Sequence, residues 1–379
     1  MPTTPDASRY LAPVPGDVPP GTMPLVRPEP LVRVDGIAYV AFERPDLALA
    51  ERFLTDFGLI ATERRHDALH LRAAGSAPFC YVVRKGPTAR YLGAGFTAAT
   101  GGDLDVLAAQ PGASRIERVD DPGGGARVVL TDPKGFRVEV VHGAAAVEPL
   151  PARREPTSRN TPLAKPRVNA GQRPALHPAE VWRLGHLVLT TPDFETLASW
   201  YMRHLGLLPT DVQCLPDGTP ALAFLRCDRG TQPADHHTVV IAGSIEAGFG
   251  HAAFEVLDLD EIGMGHNVLR AGGWTHVWGI GRHILGSQLF DYWSDPWGAE
   301  HEHYADGDVF DASWPTGYHG FGRAGLWMWG QDVPAGFGVK LGPRELASLA
   351  WRLATGEVRV ERLRQLKAVM DRPARPWLA

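Results

Sequence analysis

The chain repeats itself, and that repeat limits the folds open to it more than any other feature. Residues 36 to 59, GIAYVAFERPDLALAERFLTDFGL, read as an apolar strand, a Pro-Asp turn and a helix on which Leu49, Phe53 and Phe57 recur at helical spacing. Residues 185 to 207, GHLVLTTPDFETLASWYMRHLGL, repeat that order, and each helix closes on a glycine, Gly58 or Gly206, as a C-terminal cap would. Ala38 to Gly58 and His186 to Gly206 both span 20 residues. The block ends match as well. LTDPKGFRVEVVHG (130 to 143) and YWSDPWGAEHEHY (292 to 304) each set Asp-Pro-x-Gly in a turn before a closing strand, with six residues from Pro133 to Glu139 and six from Pro296 to Glu302. A further strand-helix unit begins near Tyr91 in the first block and near Gly250 in the second, which makes four equivalent modules. The expected fold is α+β: two tandem domains, each of two βαβββ modules closing a cup-like barrel.

The boundaries follow from composition. Residues 1–30 form a Pro-rich leader expected to wrap a surface or stay loose, 31–145 the first domain, 146–180 a polar, Pro-rich crossover, 181–310 the second domain, and 311–379 an extension. Within that extension, residues 342 to 369 read as two helices broken around Gly356, with Leu346, Leu349 and Leu353 on one apolar face that packs on the second domain or on another copy of the chain. With 38 basic and 43 acidic residues interspersed, a net charge of -5 and no long basic block, nucleic acid is excluded as a partner. The N-terminus lacks the apolar stretch of about 7 to 15 residues of a secretory signal, and nowhere do about 18 apolar residues run together, so no membrane partner is expected. Three scattered cysteines, Cys80, Cys214 and Cys227, favour a reducing, cytoplasmic setting.

The chemistry gathers in the second block. Strand side chains alternate faces, so in HEHY Glu302 points opposite to His301 and His303. Glu139, at the matching place in RVEVV, lies opposite the apolar Val138 and Val140, which by analogy turns Glu302 toward the cup. His186 and His251 each stand in the opening strand of a module, so three strands bring two imidazoles and a carboxylate to one cup. Such a set leaves open positions on a metal, suited to Fe(II) with O2 and a substrate side by side or to zinc. Acid-base groups lie nearby. His237 is 14 residues before His251 and alternates with Val239 and Ile241, His283 and Tyr292 are nine apart, and Tyr292 sits ten residues before Glu302 across the Asp-Pro turn. For His236 one reading is a structural or surface residue paired with Asp235, the other a part in the site.

GRHILGSQLFDYWSDPWGAEHE (281 to 302) carries a pattern of Gly-x-His, a later Tyr, Pro-x-Gly and a final Glu. In this the chain resembles the type I extradiol ring-cleavage dioxygenases of the vicinal oxygen chelate superfamily, over about residues 31 to 310. The resemblance implies Fe(II), with Mn(II) as the alternative, held by His186, His251 and Glu302. It also implies His237 as the acid-base histidine, His283 as a further histidine beside it, and Tyr292 as a hydrogen-bonding phenol. The implied reaction is meta cleavage of a small aromatic diol by O2, giving a ring-opened muconic semialdehyde or keto acid. A homo-oligomer is expected, joined through module edges or the C-terminal helices. Val188, on the face of His186, and Trp274, Trp278 and Trp293 suggest a pocket for an aryl- or alkyl-substituted diol. Ala38 and Gly93 stand where the first domain would need its histidines, so that domain is expected to be metal-free. Asp291 departs from the family pattern, which has an apolar residue there, and the gap from His237 to His251 is one residue shorter than in biphenyl-type members. Competing readings are a non-redox glyoxalase- or epimerase-like enzyme of the same superfamily and an inactive binding protein.

Overall fold

In the strand Val34–Arg44, alternation buries Val34, Val40 and Phe42, and this strand stands at the centre of the first sheet. The computed structural model describes residues 18–152, 159–334, 343–355, 358 and 360–371. Among these, eight strands form the first sheet and ten the second. In each sheet the opening strands of two modules, Val34–Arg44 with Arg90–Ala98 and Val181–Thr191 with Gly248–Val256, pair antiparallel at the centre. The closing strands Arg137–His142 and Glu300–Ala305 then pair parallel to the second opening strand. The tandem α+β architecture of βαβββ modules is therefore present, each sheet curving into a cup with helices on its outer face.

The second sheet runs past the expected limit at residue 310. Gly317–Gly320 pairs parallel with Leu208–Cys214, and Trp329–Gly330 pairs with Thr275–Arg282, so the segment after the closing strand completes both edges. Residues 22 to 31 of the leader lie along this domain: Met23 N donates to Gly218 O, Leu25 N to Tyr318 Oη, and Leu31 N to Arg203 O. Residues 1–17 of the leader and Gly356, the expected helix break, lie outside the described residues. Helices Pro343–Ala354 and Val360–Met370 lie against the second domain, with Arg352 Nη1 donating to Ile245 O and Gln365 Nε2 to Asp217 Oδ2. No helix among the described residues is long and apolar enough to cross a membrane.

One equivalence read from spacing is corrected by register. A bulge interrupts the opening strand of each domain, so Ile37 pairs with Phe96 and Tyr39 with Gly95, just as Leu184 pairs with Phe254 and His186 with Ala253. The counterpart of His186 is therefore Tyr39, not Ala38. Counting back from the helix-closing glycines misaligned the copies by one residue, because Asp46, the N-cap of helix Leu47–Asp56, lies 12 residues before Gly58 while Asp193, the N-cap of helix Phe194–Leu205, lies 13 before Gly206. Gly93 keeps its place as the counterpart of His251, since Gly95 and Ala253 both neighbour the closing-strand glutamate.

The domains meet through a matched pair of contacts. Gly58, at φ +111°, lies where a Cβ would come within 2.0 Å of Ala179 O, on the segment leading into the second domain's first strand. Gly206, at φ +68°, has the same relation to Val32 O on the segment leading into the first, with 2.2 Å available. Glycine is required at both for the positive φ and for the close approach. Gly58→Ala is expected to cost about 1–3 kcal/mol, read as a lowered denaturation midpoint with unchanged slope; full stability in that variant would mean that the contact is dispensable.

Candidate metal centre

Ala253 stands beside His186 on one side and Glu302 on the other, and His251 lies two residues before Ala253. Three neighbouring strands thus project His186, His251 and Glu302 from one face. The Nε2 atoms of His186 and His251 lie 3.3 and 3.2 Å from Glu302 Oε2, and the three donor atoms lie within 4.8 Å of one another. Ligands at right angles on bonds of about 2.1 Å would stand roughly 3 Å apart. His186 and Glu302 are buried while His251 is 13% exposed on its side chain, so the centre opens on the His251 side.

The condition of Glu302 says what the centre is built for. Its carboxylate is fully buried, yet neither oxygen accepts a hydrogen bond, although imidazole nitrogens approach both. Burial alone would raise this carboxyl, but the imidazoles of His186, His251 and His283 outweigh it and hold it well below the usual carboxylate range. Glu139, its counterpart, is satisfied instead. Tyr39 Oη donates to it at 2.6 Å, Arg127 Nη1 lies 3.0 Å away, and Arg137 Nε donates at 2.5 Å. One domain uses this carboxylate in an ion-pair network, and the other sets it among imidazole nitrogens, the donor set and spacing that a divalent cation fits.

His237 faces the same cup, its ring centroid 4.0 Å from that of His186. Burial, then the neighbouring His186 and His236, pushes its pKa well below the ordinary histidine value. Its Nδ1 lies 2.8 Å from His236 Nδ1, His236 Nε2 lies 2.7 Å from Asp211 Oδ2, and Asp211 Oδ1 lies 2.7 Å from His319 Nε2. Burial would raise Asp211, but its two histidines prevail and depress it. The expected pairing of His236 with Asp235 is thus corrected. Asp235 is taken by Arg183 in a bidentate pair at 2.6 and 2.8 Å, on the side away from His236. Asp211 and His319 were not singled out from the sequence, because they meet only when Gly317–Gly320 adds to the sheet edge, and LPTDVQC and GYHG carry no alternation that would have marked them.

His283 donates through Nδ1 to Leu326 O at 2.6 Å and meets Tyr292 Oη through Nε2 at 3.0 Å, with the same nitrogen 3.5 Å from Glu302 Oε1. Tyr292 pairs directly with Glu302 in the hairpin. Burial, followed by the charge of Glu302, keeps its phenol protonated far above neutral pH.

The four pocket residues separate. Val188, two residues from His186, is half-buried. Trp278 is wholly buried and stacks 5.6 Å behind Tyr292, its Nε1 donating to Gln331 O, so it backs the site without lining it. Trp293 and Trp274 leave the pocket. Alternation puts Trp293 opposite Tyr292, where its indole N–H donates to Asp291 Oδ2 at 2.6 Å. Trp274 turns to the first domain, donating to Asp56 Oδ2 at 2.8 Å with its ring against Phe53.

Residues 183–302 match the family model described as Glyoxalase/Bleomycin resistance protein/Dioxygenase superfamily. Among solved structures, the Mn(II)-bound glyoxalase from Novosphingobium aromaticivorans is similar with a TM-score of 0.67 at 21% identity, covering 82% of this chain and 95% of its own. Homoprotocatechuate 2,3-dioxygenase from Arthrobacter globiformis is similar with a TM-score of 0.65 at 22% identity, covering 86% and 94%. A glyoxalase and a dioxygenase thus share the fold almost equally, and shape alone does not choose between them. Sequence does: Metapyrocatechase 2 of Cupriavidus necator is 34% identical over 324 residues, which are 83% of this chain and 94% of that one. A likeness so extended, on a scaffold whose second cup holds a bare carboxylate between two imidazoles, places the chain in the extradiol ring-cleavage dioxygenases of the vicinal oxygen chelate superfamily.

Proposed function

We propose that the protein cleaves a substituted catechol beside its hydroxyl pair, inserting O2 to give a ring-opened muconic semialdehyde or keto acid, with His186, His251 and Glu302 holding one Fe(II) or, alternatively, Mn(II). The observation that carries this reading is Glu302, buried and without a hydrogen bond, while its first-domain counterpart is fully paired. When bound, the metal supplies a cation that both diol oxygens can chelate and a redox-capable centre beside them for O2.

The side chains around it manage protons. Asp211, as carboxylate, accepts from His236 Nε2, which leaves His236 Nδ1 with a lone pair; His237 Nδ1–H then donates to that lone pair. The neutral His237 is thereby fixed with Nε2 as its acceptor atom, available to take a proton from the diol and return it to the product. Leu326 O plays the same part for His283, since accepting from Nδ1 turns Nε2 toward Tyr292 Oη. Tyr292 remains a phenol; its one O–H, which the His283 Nε2 lone pair accepts here, can turn to substrate oxygen where negative charge gathers. Val188 and the His251 side of the cup take the substituent.

After anaerobic loading with Fe(II), O2 uptake with a panel of catechols, accompanied by a visible-absorbing ring-opened product, is the expected result. No uptake with any catechol by a chain that holds one iron would overturn the reading. His237→Gln is expected to lower turnover by about 10²–10⁴-fold, the range for a lost general acid-base group, with iron content unchanged. We further propose a cytoplasmic homo-oligomer. The three buried free cysteines suit a reducing compartment, and Trp351 on helix Pro343–Ala354 is 70% exposed, a large aromatic group that a second copy would cover.

A further inference from the structure

On the other face of the hairpin that carries Tyr292 lies a second cluster of metal-binding groups. His266 belongs to helix Leu259–Ala271, His276 to strand Thr275–Arg282 and Asp291 to strand Leu289–Ser294. His266 Nδ1 lies 3.0 Å from Asp291 Oδ2 and His276 Nε2 lies 2.8 Å from Asp291 Oδ1, and the three donor atoms lie within 4.8 Å of one another. We propose that His266, His276 and Asp291 form a second, non-catalytic site for a borderline divalent cation of the zinc class, which ties the outer helix to the hairpin bearing His283 and Tyr292.

Three observations carry this beyond the presence of the residue types. Asp291 is completely buried, and among the described residues no lysine or arginine pairs with it, so contacts with two imidazoles and the Trp293 indole are what meet its charge. A divalent cation would add full positive charge there. The neighbouring strand is shaped around the carboxylate: a Cβ on Gly279 would stand 2.6 Å from Asp291 Oδ1, so only glycine leaves that space open. Trp293 Nε1–H holds Oδ2 at 2.6 Å, an outer hydrogen bond of the kind that orients a carboxylate ligand and leaves Oδ1 for the cation. The two histidine side chains are 19% and 26% exposed, so a cation can enter from solvent and complete its coordination with water. Two imidazoles and one carboxylate suit zinc rather than calcium or magnesium.

The test counts zinc on the full-length, metal-free chain by calorimetric titration and elemental analysis of the dialysed protein. The wild-type chain is expected to bind two equivalents. His266→Asn with His276→Gln keeps an N–H donor for Asp291 at each position, so the hydrogen-bonded arrangement survives while both imidazole ligands go, and this variant is expected to bind one. Glu302→Gln is expected to lose the other equivalent and keep the one described here. If the wild-type chain binds one equivalent, lost in Glu302→Gln and retained in the double variant, the cluster is a hydrogen-bonded clamp and the proposal is overturned. If the one equivalent is instead lost in the double variant, this proposal stands and the assignment of the catalytic triad fails. Should the double variant misfold by circular dichroism, His276→Gln alone, at the more exposed position, is expected to weaken binding at this site at least 100-fold; unchanged affinity there would overturn the proposal equally.

Discussion

Glu302→Gln is expected to yield a folded chain that no longer retains iron. An amide ligates a divalent cation far less well than a carboxylate, and since loss of outer hydrogen-bonding partners alone costs about 10–100-fold in metal affinity, loss of the charged ligand should cost at least about 100-fold. The stability of the two forms then separates. In the metal-free chain the imidazoles around Glu302 outweigh its burial and hold its carboxyl low, so at neutral pH the carboxylate contributes net stability. The metal-free variant should therefore be less stable than the metal-free wild type. Wild type saturated with Fe(II) at about 100 times its dissociation constant gains about 2.7 kcal/mol from binding, and the variant, at least about 100-fold weaker, should gain no more than about 0.4 kcal/mol. Denaturant titrations with and without Fe(II) under anaerobic conditions, paired with iron content and O2 uptake, read all of this. A variant that keeps stoichiometric iron and the full metal-dependent stabilisation would remove Glu302 from the ligand set. Glu139→Gln is the control: it should weaken the network with Arg127 and Arg137, lower stability, and leave iron content untouched.

The sequence carried the second cup almost whole because duplication and strand alternation are local. Glu302 could be turned inward from the two valines that flank Glu139, and His186 and His251 could be set at module openings, with no knowledge of how the modules pack. What failed needed distance. A count of 20 residues cannot show that the first helix reaches its closing glycine one residue sooner than the second, so Ala38 was taken for the partner of His186 where the register gives Tyr39. Trp274 and Trp293 read as pocket residues because aromatic clustering in sequence says nothing of direction; one caps the domain interface, the other lies on the outer face beside Asp291. Asp211 and His319 are 108 residues apart and meet only after the chain past residue 310 returns to the sheet edge. The alternation that turned His301 and His303 out of the cup could not say where they went. His301 accepts from Tyr81 Oη at 2.9 Å and His303 Nε2 donates to Phe57 O at 2.7 Å, both in the first domain. One closing strand therefore offers its carboxylate to the candidate metal centre and its two imidazoles to the domain interface.

Because that strand serves both, loss of the interface should disturb the site, and Arg44→Met is expected to be the most destabilising single change at it. The Arg44 and Asp295 side chains are each 3% exposed; Nη2 and Nε of Arg44 lie 2.7 and 3.0 Å from Asp295 Oδ2, across the two domains. Asp295 Oδ1 meanwhile accepts from Trp297 N and Ala299 N, so the same carboxylate shapes the Asp-Pro turn that leads into Glu300–Ala305. Asp132, in the matching turn of the first domain, is paired across the interface by Tyr201 Oη at 3.2 Å, a neutral group in place of the guanidinium. Removing Arg44 strands a buried charge on Asp295, for which the cost is about 3–5 kcal/mol. Arg44→Met with Asp295→Asn removes the stranded charge and keeps an acceptor for the two turn amides, so it should recover a large part of that loss. Denaturant titrations of the four chains in a double-mutant cycle give the coupling between the two positions. If Arg44→Met costs less than about 1 kcal/mol, as an exposed ion pair would, then the buried pair does not hold the domains together. Iron content measured on the same four chains should fall with Arg44→Met and return in the double variant, because the turn held by Asp295 sets the strand from which Glu302 projects.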